Sequence, residues 1–244
     1  MNTQRPTPSA KRLNVLYEDN HIIIVNKRSS DIVQGDKTGD VPLSEVVKQY
    51  IKEKYNKPGE VFLGVVHRLD RPVSGAVIFA RTSKALTRLN EMIRDRKIEK
   101  IYWAVSANMP PDIGGHLKHY LRRNQKKNMS FAYPDPGPDR MEARLDYRYL
   151  SSSDNYHLLE VNLLTGRHHQ IRAQLAAQGS VIKGDRKYGA KRSNKNGGIS
   201  LHARKVSFIH PVKNEPIEIV APYPKMDIFP VFNVKENGSR SATR

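Results

Sequence analysis

The sequence predicts an α+β fold built on a mixed, mainly antiparallel central sheet that is flanked by helices and loops. Eight short segments have the apolar composition or two-residue alternation typical of β-strands, whereas only three segments have helical spacing. The strands also follow one another with few helices between them. This order favours an antiparallel arrangement over a doubly wound parallel sheet.

The strand candidates are rich in isoleucine, valine and aromatic residues and end at polar, glycine or proline residues. The proline- and glycine-rich segment 133–139 is interpreted as a surface turn between two of them. The predicted strands are 21–27, 61–66, 75–80, 101–105, 143–150, 156–164, 201–209 and 216–221.

Three segments have apolar residues at helical spacing. The first, 42–55, starts at a proline, and the second, 83–96, follows a Thr82/Ser83 cap. The third, 167–178, is expected to place Ile171 and Leu175 inward and to stop at a glycine.

The 244 residues are long enough for one large domain with a substantial core, because 38% of them are hydrophobic. Neither an internal repeat nor a long linker is evident. Residues 1–14 and 234–244 are polar and without periodicity, so they are expected to be flexible tails. One domain over residues 15–233 is the simplest organisation.

Charge points to a polyanionic partner. The chain has 42 Lys and Arg against 24 Asp and Glu, a net charge of +18, and such an excess attracts nucleic acid above all. Two basic stretches with few acids, at 112–135 and 185–198, suit phosphate contacts, although each would also suit a solvated loop. An anionic membrane surface is the weaker alternative, since no basic amphipathic helix with a strong apolar face is present.

The chain has no cysteine, no apolar run of about 18 residues and no secretory h-region near its start. It is therefore expected to be a cytoplasmic protein without disulfides, thiol catalysis or cysteine-ligated metal. The histidines offer no metal site either, because they lack the carboxylate-supported spacing of zinc motifs. The histidines in question are His116, His119, His168 and His169.

One charged loop lies between two apolar runs. In "HRLDRPVSG", residues 67–75, the carboxylate of Asp70 stands between Arg68 and Arg71. Taken alone, the loop is either a surface turn whose acid pairs with a neighbouring arginine, or a reactive group held by two buried strands. A distant cation is available in the helix predicted at 167–178, where His168 and Arg172 would share one face.

Three blocks of the sequence resemble the RluA family of RNA pseudouridine synthases. "HRLDRPVSG" is similar to the family's HRLDxxTSG signature, and "TGRHHQIRAQLAAQGSVIKGDRKYG" (165–189) is similar to its GRxHQIRxH and GD..YG block. "SLHARKVSFIHP" (200–211) resembles the LHAxxLxFxHP block. The order and spacing also fit, and the likeness extends from about Leu16 to Pro224.

The resemblance implies a role for five residues. Asp70 matches the essential catalytic aspartate, and Arg172 matches the basic residue that pairs with it. Tyr102, in "KIYWAV", matches the tyrosine that stacks on the target base, and Arg68 matches the arginine that fills the space left by the flipped nucleotide. Lys27 matches a lysine with a supporting role near the site.

The residues themselves suit these roles. Ile101 and Trp103 would alternate onto one face of their strand and Tyr102 onto the other, where an aromatic ring could stack on a base. A cation beside Asp70 would stabilise the ionised carboxylate.

The resemblance implies a pseudouridine synthase fold and an isomerase that needs no cofactor. The bond from C1′ to N1 of a uridine breaks, the uracil rotates, and C1′ joins C5, with no change of oxidation state. Asp70 would attack C1′ or remove a ribose proton to give a glycal, and the sequence does not choose between these routes. The expected substrate is a flipped-out uridine in a loop or bulge of ribosomal RNA, with transfer RNA second, and the enzyme is expected to be a monomer.

Some positions depart from the family pattern. Val73 stands where threonine is usual, Arg28 where proline is usual, and Ala173-Gln174 where the pattern has valine and histidine. The chain before Leu16 is too short for the small S4 domain of some relatives, so docking is expected to depend on the catalytic domain and its basic loops.

Two other functions fit parts of the pattern. A glycoside hydrolase would need a second carboxylate about 5 Å from Asp70 or farther. Asp185 is the one tempting partner, and it is interpreted as a turn residue before the basic loop. An RNA-binding module without catalysis is the second alternative, and the intact Asp70 and Arg172 argue against it.

Overall fold

The structure is a computed structural model that describes residues 13–36 and 38–234. The expected tails therefore lie almost entirely outside the described residues, and the single domain over 15–233 stays a prediction. Nine strands form the path β1-β2-β4-β10-β5-β9-β8-β6-β7 of one 11-stranded sheet, with β3 added beside β4 and β11 beside β10. The strands are β1 Val15–Glu18, β2 Ile22–Lys27, β3 Gly64–Val65, β4 Ser74–Ala80, β5 Glu99–Ser106, β6 Gly114–Asn124, β7 Met129–Tyr133, β8 Met141–Ser152, β9 His157–Leu163, β10 Leu201–Ile209 and β11 Pro216–Val220.

The predicted fold class is confirmed. Strands β4 and β10 run parallel, and the other strand pairs in the described part of the chain are antiparallel. The sequence patterns missed β1, β6 and β7. The last two form a hairpin where the patterns indicated only a basic stretch that would also suit a solvated loop. Only two residues of these strands, Leu121 and Ser130, are buried, so no apolar alternation is left to detect. The strand predicted at 61–66 is reduced to Gly64–Val65.

The three predicted helices are present with shorter bounds: α1 Leu43–Lys54, α2 Ser83–Arg94 and α3 Gln170–Ala177. Thr82 caps α2 as expected, since its side chain accepts a hydrogen bond from Ala85 N at 3.2 Å. Helix α3 begins three residues later than predicted because its N-cap, His169, has a left-handed backbone with φ 53°. His168 therefore lies outside the helix and does not share a face with Arg172.

The two faces of the sheet carry separate cores. Helices α1 and α3 pack on one face and α2 packs on the other. In β5, Tyr102 and Ala104 belong to the core beneath α1 and α3, whereas Trp103 and Val105 belong to a cluster on the opposite side. The predicted alternation in β5 is confirmed, although both of its faces are apolar.

One row across the centre of the sheet supports the site described below. Strand pairing aligns Lys27 with Gly75, Gly75 with Ala203, and Ala203 with Tyr102. Since residues in one row point to the same face, Lys27 and Tyr102 both lie on the side of α1 and α3. Among the described residues, no helix is long and apolar enough to cross a bilayer.

Gly75 allows the parallel pair at the centre of that row. Its φ is +119°, and a Cβ built on it would lie closer than 3.0 Å to the backbone N, Cα and O of Ala203.

Replacing Gly75 with alanine is expected to lower the free energy of unfolding by about 2 kcal/mol or more, through backbone strain and this collision. Denaturant unfolding measures the change. Gly59→Ala is the control, because nothing lies within 4 Å of a Cβ there, and an equal loss in both variants would contradict the argument.

Candidate active site

The loop between β3 and β4 holds Asp70 at the edge of the core. Leu69 and Val73 are buried in the core under α1 and α3, with 7% and 3% of their surfaces exposed, while Asp70 between them is partly exposed. Val73 N donates to Asp70 O at 3.0 Å, which closes the loop into a turn. His67 Nε2 accepts a hydrogen bond from Ile78 N at 3.1 Å and so fixes the start of the loop to β4. The carboxylate is thus presented by a rigid segment.

Arg172 lies beside Asp70, although 102 residues separate the two in sequence. Its Nη1 donates to Asp70 Oδ2 at 3.0 Å. The guanidinium also donates to both oxygens of Asp185, from Nε to Oδ2 at 2.6 Å and from Nη2 to Oδ1 at 2.9 Å. Arg172 is 4% exposed and Asp185 1% exposed, so this second pair is fully buried.

Neighbouring carboxylates stabilise the positive charge of Arg172 even though the residue is buried. Burial alone would disfavour the guanidinium charge, but the hydrogen bonds and charge of Asp185, together with the charge of Asp70, raise the pKa of Arg172. The interpretation of Asp185 as only a turn residue is incomplete. It does precede the 3₁₀ turn Arg186–Tyr188, but its carboxylate is the principal partner of Arg172.

Two histidines border Asp70, and the sequence patterns did not single them out as site residues. His169 Nε2 lies 3.6 Å from Asp70 Oδ2, and its ring stacks on that of His168 with 3.8 Å between centroids. Burial lowers the pKa of His169 to about 3, with Asp70 opposing the shift, so the ring is neutral at physiological pH.

Tyr102 lies beneath the carboxylate on the same face of the sheet. It is 6% exposed and lines a cleft of about 530 Å³ that Asp70, His169 and Leu201 also line. Burial, followed by the charge of Asp70, raises the pKa of the Tyr102 phenol, which therefore stays protonated. The ring is mostly covered, and its remaining exposure is toward the cleft.

Lys27 lies under the loop and is 1% exposed. Its Nζ donates to Arg28 O at 2.9 Å and to Arg71 O at 3.1 Å, so it joins the end of β2 to the loop that carries Asp70. Burial lowers the pKa of Lys27 to about 7, with Asp31 and Asp70 opposing the shift. The neutral amine still has two N–H groups for the two carbonyls.

The lowered pKa of Lys27 predicts a pH dependence of stability. Between about pH 7 and pH 10.5 the unfolded chain keeps the proton that the folded chain has lost, so this residue makes the free energy of unfolding rise with pH. The expected slope is at most about 1.4 kcal/mol per pH unit for one proton. Unfolding of wild type and Lys27→Met across this range measures it as the difference between the two slopes, which cancels other titrating groups. Equal slopes would contradict the prediction.

Arg68 is exposed at the mouth of the site. It lines both the smaller cleft and a larger one of about 890 Å³, and its Nη1 donates to Gln34 Oε1 at 3.3 Å. Asp70 lines both clefts as well, so it lies where they meet. Arg123, from the β6–β7 hairpin, reaches the same two clefts, and Lys187 and Lys195 reach the larger one. Both basic stretches therefore contribute cations to the space in front of Asp70.

The departures from the family pattern lie outside the ion pair. Val73 is buried among apolar side chains, where its methyl groups need no hydrogen-bond partner. Gln174 is fully buried and its amide donates to Leu117 O at 3.0 Å and to Ala143 O at 3.2 Å, which attaches α3 to β6 and β8. Arg28 pairs with Asp31 at 3.3 Å.

The structure brings four of the five predicted site residues to one place. Asp70, Arg172 and Tyr102 line the smaller cleft together, and Arg68 stands at its rim. Lys27 is behind the loop and contacts its backbone. Sequence reasoning missed His169 and the pairing of Asp185, although both belong to the 165–189 block that carried the resemblance.

Comparison with known proteins identifies the family. Residues 21–177 match the family described as RNA pseudouridylate synthase. An uncharacterized RNA pseudouridine synthase of Synechocystis is 32% identical over 87% of this chain and 66% of its own length. The ribosomal large subunit pseudouridine synthase D of Xylella fastidiosa is also 32% identical, with the same coverage of each chain.

A solved structure supports the fold independently. The human RNA pseudouridylate synthase domain containing 4 aligns with a TM-score of 0.74 over 88% of this chain and 91% of that one, at 22% sequence identity. The chain belongs to the RNA pseudouridylate synthase family. It spans about two thirds of the length of the curated relatives it matches.

Proposed function

We propose that the protein is an RNA pseudouridine synthase in which Asp70 is the essential catalytic residue. The observation that carries this proposal is the contact of Arg172 Nη1 with Asp70 Oδ2 at 3.0 Å, at the junction of two clefts. A single partly exposed carboxylate is held in place there by a buried cation. This is the constellation that an isomerisation at C1′ of uridine needs.

The reaction balances without a cofactor. The C1′–N1 bond of the uridine breaks, the uracil turns within the cleft, a C1′–C5 bond forms, and the hydrogen leaves C5 while N1 gains a proton. Asp70 acts either as the nucleophile at C1′, which leaves again when the C1′–C5 bond forms, or as the base that removes a ribose proton and returns it after that bond has formed. Both routes require a carboxylate held in a fixed position, and Arg172 Nη1 holds Asp70 Oδ2 at 3.0 Å.

The other site residues act around this step. Tyr102, at the base of the smaller cleft, contacts the uracil and helps exclude water while the base is detached. Arg68, exposed at the rim, occupies the space that the flipped nucleotide leaves in the RNA. Lys27 holds the loop backbone at Arg71 O and does not touch the substrate.

A glycoside hydrolase would need a second carboxylate, and Asp185 cannot serve as one. Both oxygens of Asp185 accept hydrogen bonds from Arg172, and the residue is 1% exposed. Such a group cannot activate a water molecule beside a sugar. The geometry therefore favours isomerisation over hydrolysis.

Ribosomal RNA is the proposed substrate, with transfer RNA second. The relative from Xylella fastidiosa is named as a ribosomal large subunit enzyme, and the net charge of +18 suits an RNA partner. The target uridine would leave its stack to reach Asp70, at a cost of a few kcal/mol. A monomeric state belongs to this proposal, and the cytoplasmic location expected from the sequence stays a prediction.

The β6–β7 hairpin is proposed to hold the RNA backbone through its exposed lysines. Replacing Lys126 and Lys127 together by alanine is expected to weaken RNA binding and to reduce the salt slope of log K by about 1 to 2, because a protein that neutralises fewer phosphates releases fewer counterions. Filter binding at several salt concentrations measures both effects. The control removes two exposed lysines on the other side of the sheet, Lys84 in the first turn of α2 and Lys97 three residues after its end. An equal effect in the control would indicate only nonspecific attraction.

The function is tested by incubating the protein with ribosomal and transfer RNA labelled with tritium at C5 of uridine. Release of the label, followed by chemical mapping of pseudouridine, is expected at defined positions. Free uracil or abasic sites would instead indicate a hydrolase, and RNA binding with neither product would indicate a module without catalysis.

A further inference from the structure

The hydroxyl of Tyr188 lies at the centre of a hydrogen-bond network that reaches His169, the histidine beside Asp70. Ser130 N donates to Tyr188 Oη at 2.8 Å, and the same oxygen lies 3.1 Å from Ser130 O and 3.0 Å from His169 Nδ1. On the far side of its ring, His169 Nε2 lies 3.6 Å from Asp70 Oδ2. The network therefore connects strand β7 of the basic hairpin to the carboxylate.

Counting hydrogens leaves two arrangements. Tyr188 has one hydroxyl hydrogen, and it goes either to Ser130 O or to His169 Nδ1. In the first case Nδ1 carries the imidazole hydrogen, and the bare lone pair of Nε2 faces a carboxylate oxygen. In the second case Nδ1 accepts from the phenol, and Nε2–H faces Asp70. The negative charge of Asp70 favours the second arrangement, because it places a positive hydrogen rather than a lone pair toward the carboxylate.

The His169 ring is held tightly enough for this choice to matter. It is 6% exposed, its backbone is left-handed with φ 53°, and one of its faces stacks on His168. Ser130 Oγ holds His168 in turn, 2.9 Å from its Nδ1. Since burial also keeps His169 neutral, only one of its ring nitrogens carries a hydrogen. The tautomer therefore decides whether an N–H group or a lone pair of Nε2 faces Asp70.

We propose that Tyr188 is a positioning residue, whose hydroxyl sets the His169 ring with Nε2–H directed at Asp70 Oδ2. Arg172 donates to the same oxygen, so both contacts orient the carboxylate through Oδ2 and leave Oδ1 for the nucleotide. Because the hydroxyl also binds the β7 backbone, this orientation depends on the docking of the hairpin. The inference rests on the proposed function of Asp70.

Tyr188→Phe in the full chain tests the role, because it removes the hydroxyl and keeps the ring. The single-turnover rate of pseudouridine formation is expected to fall about tenfold, because Asp70 loses one of the two contacts that orient it, with the Kd for RNA changed by less than about twofold. Tyr149→Phe is the matched control. It removes another phenol hydroxyl, one that donates to Ser152 Oγ at 2.7 Å in β8, and Tyr149 lines neither cleft, so its rate is expected to stay within about twofold of wild type. A parallel loss of rate and affinity in Tyr188→Phe would overturn the proposal.

A double-variant cycle separates positioning from a general structural role. The side-chain amide of His169→Gln carries an N–H at the Nε2 position and needs no hydroxyl to select it. In that background Tyr188→Phe is expected to lower the rate by less than about twofold, so the two changes are not additive. The same tenfold loss in both backgrounds would overturn the role assigned to His169.

A spectroscopic measurement on the wild type does not depend on how any variant folds. Nitrogen-15 chemical shifts of the His169 ring are expected to show Nε2 protonated and Nδ1 accepting, and the opposite tautomer would overturn the proposal. The experiments also distinguish a failure of the proposed function from a failure of the inference about Tyr188. A wild type that makes no pseudouridine contradicts the proposed function, whereas an active wild type with a fully active Tyr188→Phe contradicts only this inference.

Discussion

Replacing Asp70 with asparagine is expected to abolish pseudouridine formation, with a loss of at least roughly 10⁴-fold in the single-turnover rate, as for other essential nucleophiles or bases. Asparagine has nearly the same shape and can still accept a hydrogen bond from Arg172, but it can neither attack C1′ nor remove a proton. The Kd for RNA is expected to change by less than about threefold, because the groove is formed by many other side chains.

The structure indicates that this variant keeps its fold. Asp185 still neutralises the buried Arg172 when the charge of Asp70 is removed. Asp36→Asn is the matched control, since it removes an exposed carboxylate from the larger cleft and is expected to leave the rate unchanged. An Asp70→Asn enzyme that retains wild-type activity would rule out the catalytic role of Asp70.

Replacing Asp185 with asparagine is expected to lower the free energy of unfolding by about 3 kcal/mol, because it leaves part of a buried guanidinium charge without its partner. This value is at the lower end for a broken buried pair, since Asp70 still contacts Arg172 at 3.0 Å. Denaturant unfolding measures the loss. Glu160→Gln serves as the control, because it breaks the more exposed ion pair with Arg148 and is expected to cost less than about 1 kcal/mol.

The Asp185 variant also affects the interpretation of Arg172 variants. Arg172→Ala would leave the buried carboxylate of Asp185 without its cation, so a loss of activity there would combine catalysis with misfolding. If Asp185→Asn were as stable as Glu160→Gln, the buried pair of Arg172 and Asp185 would not be needed for the stability of the fold. Comparing the two single variants with Arg172→Met/Asp185→Leu separates the effects, since an apolar replacement of both partners is often tolerated.

The strands with continuous apolar runs and the helices with an apolar stripe could be predicted from the sequence. The apolar runs of β2, β4 and β10, and the stripes of α1 and α2, follow directly from the periods of strand and helix. The β6–β7 hairpin could not be predicted in this way, since its strands are joined by backbone pairing and only two of their residues are buried. The start of α3 was misplaced because His169 adopts a backbone conformation that no spacing rule indicates.

Some residues of the candidate site could be recognised from the sequence and others could not. The motif around Asp70 and the block that contains Arg172 were recognisable as sequence, and their resemblance to a known family led to the pairing across 102 residues. Asp185 looked like an ordinary turn residue, since a carboxylate after glycine is common in turns. Its burial depends on α3 and on the loops around it, and none of these is visible in its local sequence.

By itself, the sequence determined the fold class, the excess of positive charge and which residues are proposed to carry the chemistry, because these depend on composition, periodicity and motif. Only the tertiary structure decided how the charges are compensated: Arg172 is shared between Asp70 and Asp185, His169 is neutral, and Lys27 has a pKa of about 7. The physical reason is that the cost of a charge is set by burial and by the few groups within hydrogen-bond distance. In this protein those groups come from segments far apart in the chain.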